Sequence, residues 1–371
     1  MTANWEAIGI KMTFSTDILI IGGGAIGLAT AIDLALRGAT VTVLSRNFGQ
    51  AALHAAAGML APQAEQLVSP LLDLGLRSRD LYPHWTAQLT ALTGLDCGYW
   101  PCGILAPVET ANPVTDYTAQ RIGESQWLDQ AAIQVHQPGL GAQVSGGWWY
   151  PLDGQVDNHS LAIVLKAAAE HLGIQLLEGE SVQSFHYQGD RISQLTTTAG
   201  TWQAQTYILA TGAWSTELLP VPVIPCKGQM LAVQGPTEEP LPLNQVIFGN
   251  QTYLVPRRSG KVVIGATSEY VGLREGNTPA GMGALLDRAI TLYPPLQDWP
   301  ILDFWWGFRP ATPDGLPILG TSEYKNLIFA TGHYRNGILL APITAHLLAD
   351  LVLQQRVDPL LIPFHWQRFA S

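Results

Sequence analysis

The residues of this chain best suited to chemistry are a glycine turn, Gly22-x-Gly24-x-x-Gly27, and Arg309, set among Trp305, Trp306 and Phe308. Gly22 permits a tight turn, Gly24 lets the backbone approach a pyrophosphate, and Gly27 allows a helix to pack closely on a strand. A helix opening on such a turn attracts negative charge through its free amides and its dipole. The planar guanidinium of Arg309 can form two parallel charge-assisted bonds to a carboxylate. Its aromatic neighbours imply partial burial; the competing reading is a surface arginine at a strand end.

The elements around the glycines give them meaning. Asp17–Ile21 is an apolar run, Ala25 to Arg37 reads as a helix stopped by Gly38, and Thr40 to Leu44 is a second apolar run. Together they predict a β-α-β unit, in which the turn binds a dinucleotide. The second strand ends Leu44-Ser45-Arg46, where an acidic residue normally accepts a hydrogen bond from the ribose 2′-hydroxyl. That acid is missing. Ser45 can accept one such bond, while Arg46 either faces a phosphate, as in NADP recognition, or is solvated. Tyr207-Ile-Leu-Ala-Thr-Gly212 is a second strand-like run. Its end, Ala210, Thr211 and Gly212, either admits a cofactor backbone or is ordinary strand-to-turn punctuation.

Elsewhere Leu67 to Gly94 reads as scaffold helices. Ser160 opens a helix that ends near Gly173, and Ile174–Leu177 follows as a strand, suggesting a second β-α-β-like passage. Met230–Val233, Thr252–Val255 and Lys261–Ala266 read as an antiparallel sheet, with a turn at Arg258-Ser-Gly260. Thr278-Pro279 caps a helix reaching Leu292, and an extended run from Ile301 to Phe308 ends before Pro310. No fixed-period repeat or low-complexity tract is evident.

Composition narrows the function classes. The 371 residues are 47% hydrophobic, enough for a substantial core, and carry a formal net charge of −10 with a pI near 5.3. That balance argues against nucleic acid or anionic lipid as a partner. Cys97, Cys102 and Cys226 are the three cysteines, without C-x-x-C spacing, so neither a disulfide framework nor a zinc site is expected, and no metal is assigned. A reducing, cytoplasmic location fits best. The first sixteen residues carry one lysine and no sustained apolar run, so no secretory signal is expected, and Met12 is a candidate natural start. Gly337 to Leu353 is interrupted by Pro342, His346 and Asp350 and reads as a packed helix of a soluble protein.

Three further blocks carry a family resemblance: His54-Ala-Ala-Ala-Gly-Met-Leu-Ala-Pro62, Gly307-Phe-Arg-Pro-Ala-Thr-Pro-Asp-Gly-Leu-Pro-Ile-Leu-Gly320 and Ala330-Thr-Gly-His-Tyr-Arg-Asn-Gly-Ile-Leu-Leu-Ala-Pro342. With them the chain resembles the D-amino-acid oxidase superfamily of FAD-dependent amine oxidoreductases, and within it the glycine oxidases of thiamine biosynthesis. The resemblance implies an α/β (α+β) fold, a Rossmann-like FAD-binding domain interleaved with a substrate domain on a mainly antiparallel sheet. The expected division is 16–90, 150–222 and 305–360 for the first domain and 91–149 and 223–304 for the second.

The resemblance also implies oxidation of glycine, sarcosine or a small D-amino acid with molecular oxygen, and a homotetramer. For glycine the products are glyoxylate, ammonia and hydrogen peroxide, with the imine intermediate supplying the thiazole of thiamine. Gly22, Gly24, Ala25, Ile26, Gly27, Ser45, Arg46, Ala56, Ala57, Gly58, Met59, Val182, Ala210, Thr211 and Gly212 are the implied FAD contacts in the first two thirds of the chain. Gly332, His333, Tyr334, Arg335, Asn336, Gly337, Ile338 and Leu339 complete them. For the substrate the resemblance implies Arg309 and Tyr253 on the carboxylate and Arg335 in a supporting or gating role; Met59 and Tyr253 together are expected to restrict the space beside Cα.

Removing two electrons from an amino acid needs its Cα–H aimed at flavin N5 and a neutral amine, so anchoring and water exclusion suffice and no acid–base residue is assigned. His54 is a candidate for covalent flavin attachment, against which a structural role is favoured, giving non-covalent FAD. The rival classes are a dehydrogenase of the same fold, a catalytically silent flavoprotein, and an NADP-dependent reductase using Arg46.

Overall fold

The computed structural model describes residues 13–109, 124–238 and 240–370; Met12 and the segment before it lie outside them. Two eight-stranded sheets and one three-stranded sheet carry the architecture. In the first sheet, strand Thr13–Ile21 lies between Val41–Ser45 and Thr201–Leu209, parallel to both, and Leu327–Thr331 continues the parallel run beside Thr201–Leu209. Helix Ala25–Leu36 connects the first two strands, as its apolar run bounded by Gly24 and Gly38 predicts. It packs with helices Asn158–His171 and Gly337–Gln354 on one face of the sheet, around Ile20, Ile32, Leu165, Leu340 and Leu347. A second cluster, including Leu19, Leu44, Tyr207 and Phe329, covers the other face.

The second sheet is antiparallel where the sequence pattern predicts it. Ile224–Gln234, Lys261–Gly265 and Tyr253–Pro256 are successive neighbours, and Ile301–Ala311 forms the edge beyond Ile224–Gln234. Helix Pro279–Leu292 covers one face through Leu285, Ala289 and Leu292. Its N-cap is Thr278, whose hydroxyl accepts from the Gly281 amide at 3.1 Å.

Several local expectations change. Leu71–Thr93 is a single helix containing Pro83 and closed by Gly94 at φ 71°. Helix Asn158–His171 starts before Ser160. Asp157 is its cap, accepting from the His159 and Ser160 amides at 2.9 and 3.1 Å, and the charged acceptor wins over the hydroxyl. The strand before that helix, Gly154–Val156, belongs to the small sheet with Met59–Leu60 and Tyr99–Trp100. Only the strand after it, Gln175–Glu178, joins the first sheet, so the passage is not a β-α-β unit of one sheet. The extended run at Ile301 does not stop at Pro310; it continues to Ala311, because an edge strand has no outer partner to miss the proline's absent N–H.

Among the described residues one helix, Gly337–Gln354, is long and apolar enough to cross a membrane, and 72% of it is buried within the protein. It is a core helix packed against the first sheet.

Candidate active site

One cavity of about 680 Å³ runs along the carboxyl ends of the first sheet and under the second. At its floor the glycine turn behaves as its spacing predicts. Gly22 sits at φ 115°, and a Cβ there would lie 2.3 Å from the Ala210 carbonyl oxygen. A Cβ on Gly27 would lie 1.9 Å from the Gly22 oxygen, so Gly27 serves packing and is off the cavity wall, while Gly24, Ala25 and Ile26 line it. Gly23, which the motif leaves unspecified, is equally constrained, because its Cβ would lie 2.1 Å from the Phe48 ring.

Helix Ala25–Leu36 has no side-chain cap and no acidic residue in its first turn, and the same is true of Gly337–Gln354. Gly337 and Ile338 also line the cavity. Two helix N-termini with uncapped amides therefore point positive potential into one cleft.

Ala56, Ala57, Gly58 and Met59 form the next stretch of wall. Their backbone is held by residues the sequence pattern did not single out. Buried Arg257 donates from Nη2 to the Ala57 carbonyl at 2.8 Å and pairs through Nε with Asp157 at 3.1 Å, while Asn158 Nδ2 donates to the Leu53 carbonyl at 3.0 Å. Gly307 of the edge strand lets this segment approach, since a Cβ there would stand 2.3 Å from that of Ala55. The His54 ring lies 6.2 Å from that of His159 and does not line the cavity.

Val182, Ala210, Thr211, Gly212, His333, Tyr334 and Arg335 also line the cavity. Gly332, Asn336 and Leu339 do not: Gly332 turns at φ 73°, Asn336 is the buried cap position of the helix, and Leu339 is one residue too far round and enters the core. Tyr334, at φ 48°, donates its backbone N–H to the Pro310 carbonyl at 2.9 Å, local strain of the kind functional sites retain. Burial pushes the His333 imidazole down to about 3. Its Nε2 lies 3.2 Å from the Thr344 hydroxyl.

Arg309 and Tyr253 converge beneath the second sheet. Each lies across a glycine of a neighbouring strand: a Cβ on Gly228 would meet Arg309 Nη2 at 2.5 Å, and one on Gly265 would meet the Tyr253 hydroxyl at 2.5 Å. Arg309 Nη1 donates to the Thr267 carbonyl at 3.1 Å, its guanidinium also bonds the Tyr253 hydroxyl, and the residue lines the cavity. Burial raises the Tyr253 phenol, opposed by the Arg309 and Arg335 charges. The residue sequence reasoning missed here is Glu65. Its buried carboxylate lies 3.8 Å from Arg335, and burial raises its titration against the pull of Arg335 and Arg309. Asp153 shapes that loop, accepting the Gln63 and Ala64 amides at 3.1 and 2.8 Å. Nothing in local periodicity marks Glu65; its only signal is its place in the chain, three residues beyond the block that ends at Pro62.

At the other end, Ser45 is buried and Arg46 is exposed. Arg46 pairs with Glu217 at 3.3 Å and stacks 5.3 Å from the Trp214 ring centre. Its side chain is about half exposed and turned toward both groups.

The fold and this cleft are those of a dinucleotide-binding protein, in which the glycine-turn channel opens into a chamber lined by Arg309, Tyr253 and Arg335. A family model described as FAD dependent oxidoreductase matches residues 17–351, and the chain belongs to that family. It is 58% identical over 360 residues to a bifunctional protein ThiO/ThiG of Trichormus variabilis, covering 96% of this chain and 55% of that one. It is 38% identical to a glycine oxidase of Geobacillus kaustophilus over 96% of this chain and 98% of the other. The crystal structure of glycine oxidase from Geobacillus kaustophilus superposes with a TM-score of 0.91 at 36% identity, covering 96% and 99% of the two chains. The chain thus spans about half the length of the bifunctional relatives it matches.

The residues present fit FAD. The constrained glycines leave open backbone at Gly24, the uncapped helix amides suit a pyrophosphate, and the small residues Ala56 to Gly58 admit a flat ring system.

Proposed function

We propose that this chain is an FAD-dependent glycine oxidase, converting glycine, oxygen and water to glyoxylate, ammonia and hydrogen peroxide. The observation that carries the reading is the convergence of Arg309, Tyr253, Arg335 and Glu65 in the chamber beside the cofactor channel. Bound FAD would supply the two-electron acceptor and the route to oxygen. Gly22, Gly24, Ala25 and Ile26 would hold its pyrophosphate, and Ala56 to Met59, Val182, Ala210 to Gly212 and His333 to Ile338 would enclose the rest. The His54 ring facing His159 supports non-covalent attachment.

In the chamber Arg309 takes the substrate carboxylate with its free N–H groups, and the Tyr253 hydroxyl adds a donor. Glu65 and Arg335 set the charge around them. Met59, Met230 and Phe248 close the walls, which restricts the space beside Cα to glycine, sarcosine or a small D-amino acid and excludes water from the reacting face.

The interleaved domains of residues 16–90, 150–222 and 305–360, and 91–149 and 223–304, follow the two large sheets; the last crossing falls within strand Ile301–Ala311. We extend the reading to a cytoplasmic homo-oligomer, a tetramer by resemblance, whose imine intermediate supplies thiazole synthesis. The free cysteines and the exposed apolar side chains of Ile301, Leu302 and Phe304 support it.

Anaerobic titration of the FAD-loaded protein with glycine, followed by air, tests the activity. Glycine-dependent bleaching with rapid reoxidation and peroxide release is expected. Bleaching without reoxidation would assign a dehydrogenase instead, and no bleaching by any small amino acid would overturn the reading.

A further inference from the structure

The second strand of the nucleotide unit ends on Ser45, where a carboxylate is normally needed to accept the ribose 2′-hydroxyl. The hydroxyl of Ser45 does not replace that charge, and Arg46 is already paired with Glu217. The acid is supplied by the neighbouring strand. Gln175–Glu178 runs parallel to Val41–Ser45 in the register Ser45↔Glu178, so the chain leaving Glu178 emerges beside Ser45 and Arg46 at the same end of the sheet. Glu178 itself is occupied, its Oε1 accepting the Phe48 amide at 3.2 Å. Two residues on, Glu180 lines the cofactor cavity together with Ser45, Arg46 and Val182.

The Glu180 carboxylate has no hydrogen bond or ion pair among the described residues; one of its oxygens is enclosed by protein, so a ligand in the cavity meets the other. A carboxylate held at a cavity wall without a partner is completed by a ligand donor. The ligand at this end of a cavity whose pyrophosphate site is the Gly24 helix N-terminus is the nucleoside half of the dinucleotide.

We propose that Glu180 is the cofactor's ribose-binding carboxylate, accepting a hydrogen bond from the adenosine 2′-hydroxyl of FAD in place of the acid missing at Ser45. The proposal rests on the FAD reading, and it moves the recognition residue from the second strand to the loop after its parallel neighbour. It also accounts for Ser45: a second carboxylate at that position would face Glu180 across the same ribose and repel it.

The test is equilibrium binding of FAD to apoprotein, followed by quenching of flavin fluorescence, for wild type, Glu180→Gln and Glu180→Ala. Each ligand series uses FAD and an FAD analogue whose adenosine lacks the 2′-hydroxyl. Wild type is expected to bind the analogue about tenfold more weakly than FAD, the loss of one hydrogen bond to a charged acceptor. Glu180→Ala is expected to bind FAD about tenfold more weakly and to lose nothing further with the analogue, because the two changes remove the same bond. Glu180→Gln keeps the shape and an acceptor oxygen, and falls between. Equal FAD affinity in wild type and Glu180→Ala overturns the proposal. So does the same loss on the analogue in both proteins, which would mean that the variant acts through the fold. Wild type that binds no FAD would defeat the cofactor reading itself, a separate outcome.

Discussion

Replacing Arg309 with alanine gives the sharpest test of how the chamber works. One guanidinium N–H is engaged by the Thr267 carbonyl at 3.1 Å and another by the Tyr253 hydroxyl, which leaves further N–H groups in a residue that lines the cavity. A substrate carboxylate therefore gains two charge-assisted bonds from this side chain, each worth roughly 1.5–3 kcal/mol. Losing both removes about 3–6 kcal/mol, a fall of about 10² to 10⁴ in kcat/KM for glycine. Arg309→Lys retains the charge without the fork and should recover only part of that loss. The assay is stopped-flow anaerobic flavin reduction across glycine concentrations, with bound FAD counted by absorbance in each variant. FAD content is expected to stay at the wild-type level, because Arg309 is held by the second sheet and not by the glycine turn. A fall of less than tenfold with FAD retained would refute Arg309 as the carboxylate anchor, since Arg335 alone would then suffice.

Three further outcomes follow from the same geometry. Gly228→Ala places a Cβ 2.5 Å from Arg309 Nη2, so it should raise KM for glycine by roughly tenfold or more without touching the arginine, and an unchanged KM would show that the guanidinium does not work from this position. Glu65→Gln removes the negative charge that opposes Arg335 and Arg309, so a carboxylate inhibitor such as glycolate should bind roughly tenfold more tightly. In wild type the same tightening should appear as pH falls, because Glu65, raised by burial, loses its charge while both arginines keep theirs; a pH profile identical in Glu65→Gln would contradict this. His333 titrates at about 3 in the folded protein against an ordinary value of 6.5. Unfolded chains alone take up that proton between those limits, so stability falls with acid there, by up to about 1.4 kcal/mol per pH unit, and levels off below. Chemical denaturation at several pH values should show a shallower acid slope in His333→Asn, and equal slopes would remove His333 as the cause.

What the sequence alone determines here is short-range. The glycine turn with its flanking strand and helix, the Thr278-Pro279 helix start and the Gly94 helix end are all local backbone requirements, readable because spacing along the chain is the spacing in the element. The family resemblance also pointed to Arg309, Tyr253, Met59 and Arg335, which the fold brings to one cavity. Where two local signals competed, as Asp157 and Ser160 did for one helix start, only the folded backbone decided, because charge and approach geometry rather than residue type set the cap.

The tertiary structure alone decided the partners drawn from far along the chain. Arg257 reaches back to Ala57, Glu65 meets Arg335, and the space for Arg309 is a glycine on another strand. Glu180 comes to the Ser45 end only because two strands far apart in the chain lie parallel and in register. Helical periodicity placed Leu339 in the core although its neighbour Ile338 lines the cavity. Local spacing specifies the turn that a dinucleotide requires, but the charge balance of a site is a sum over residues that only chain folding brings within a few ångströms, where low dielectric makes each of them count.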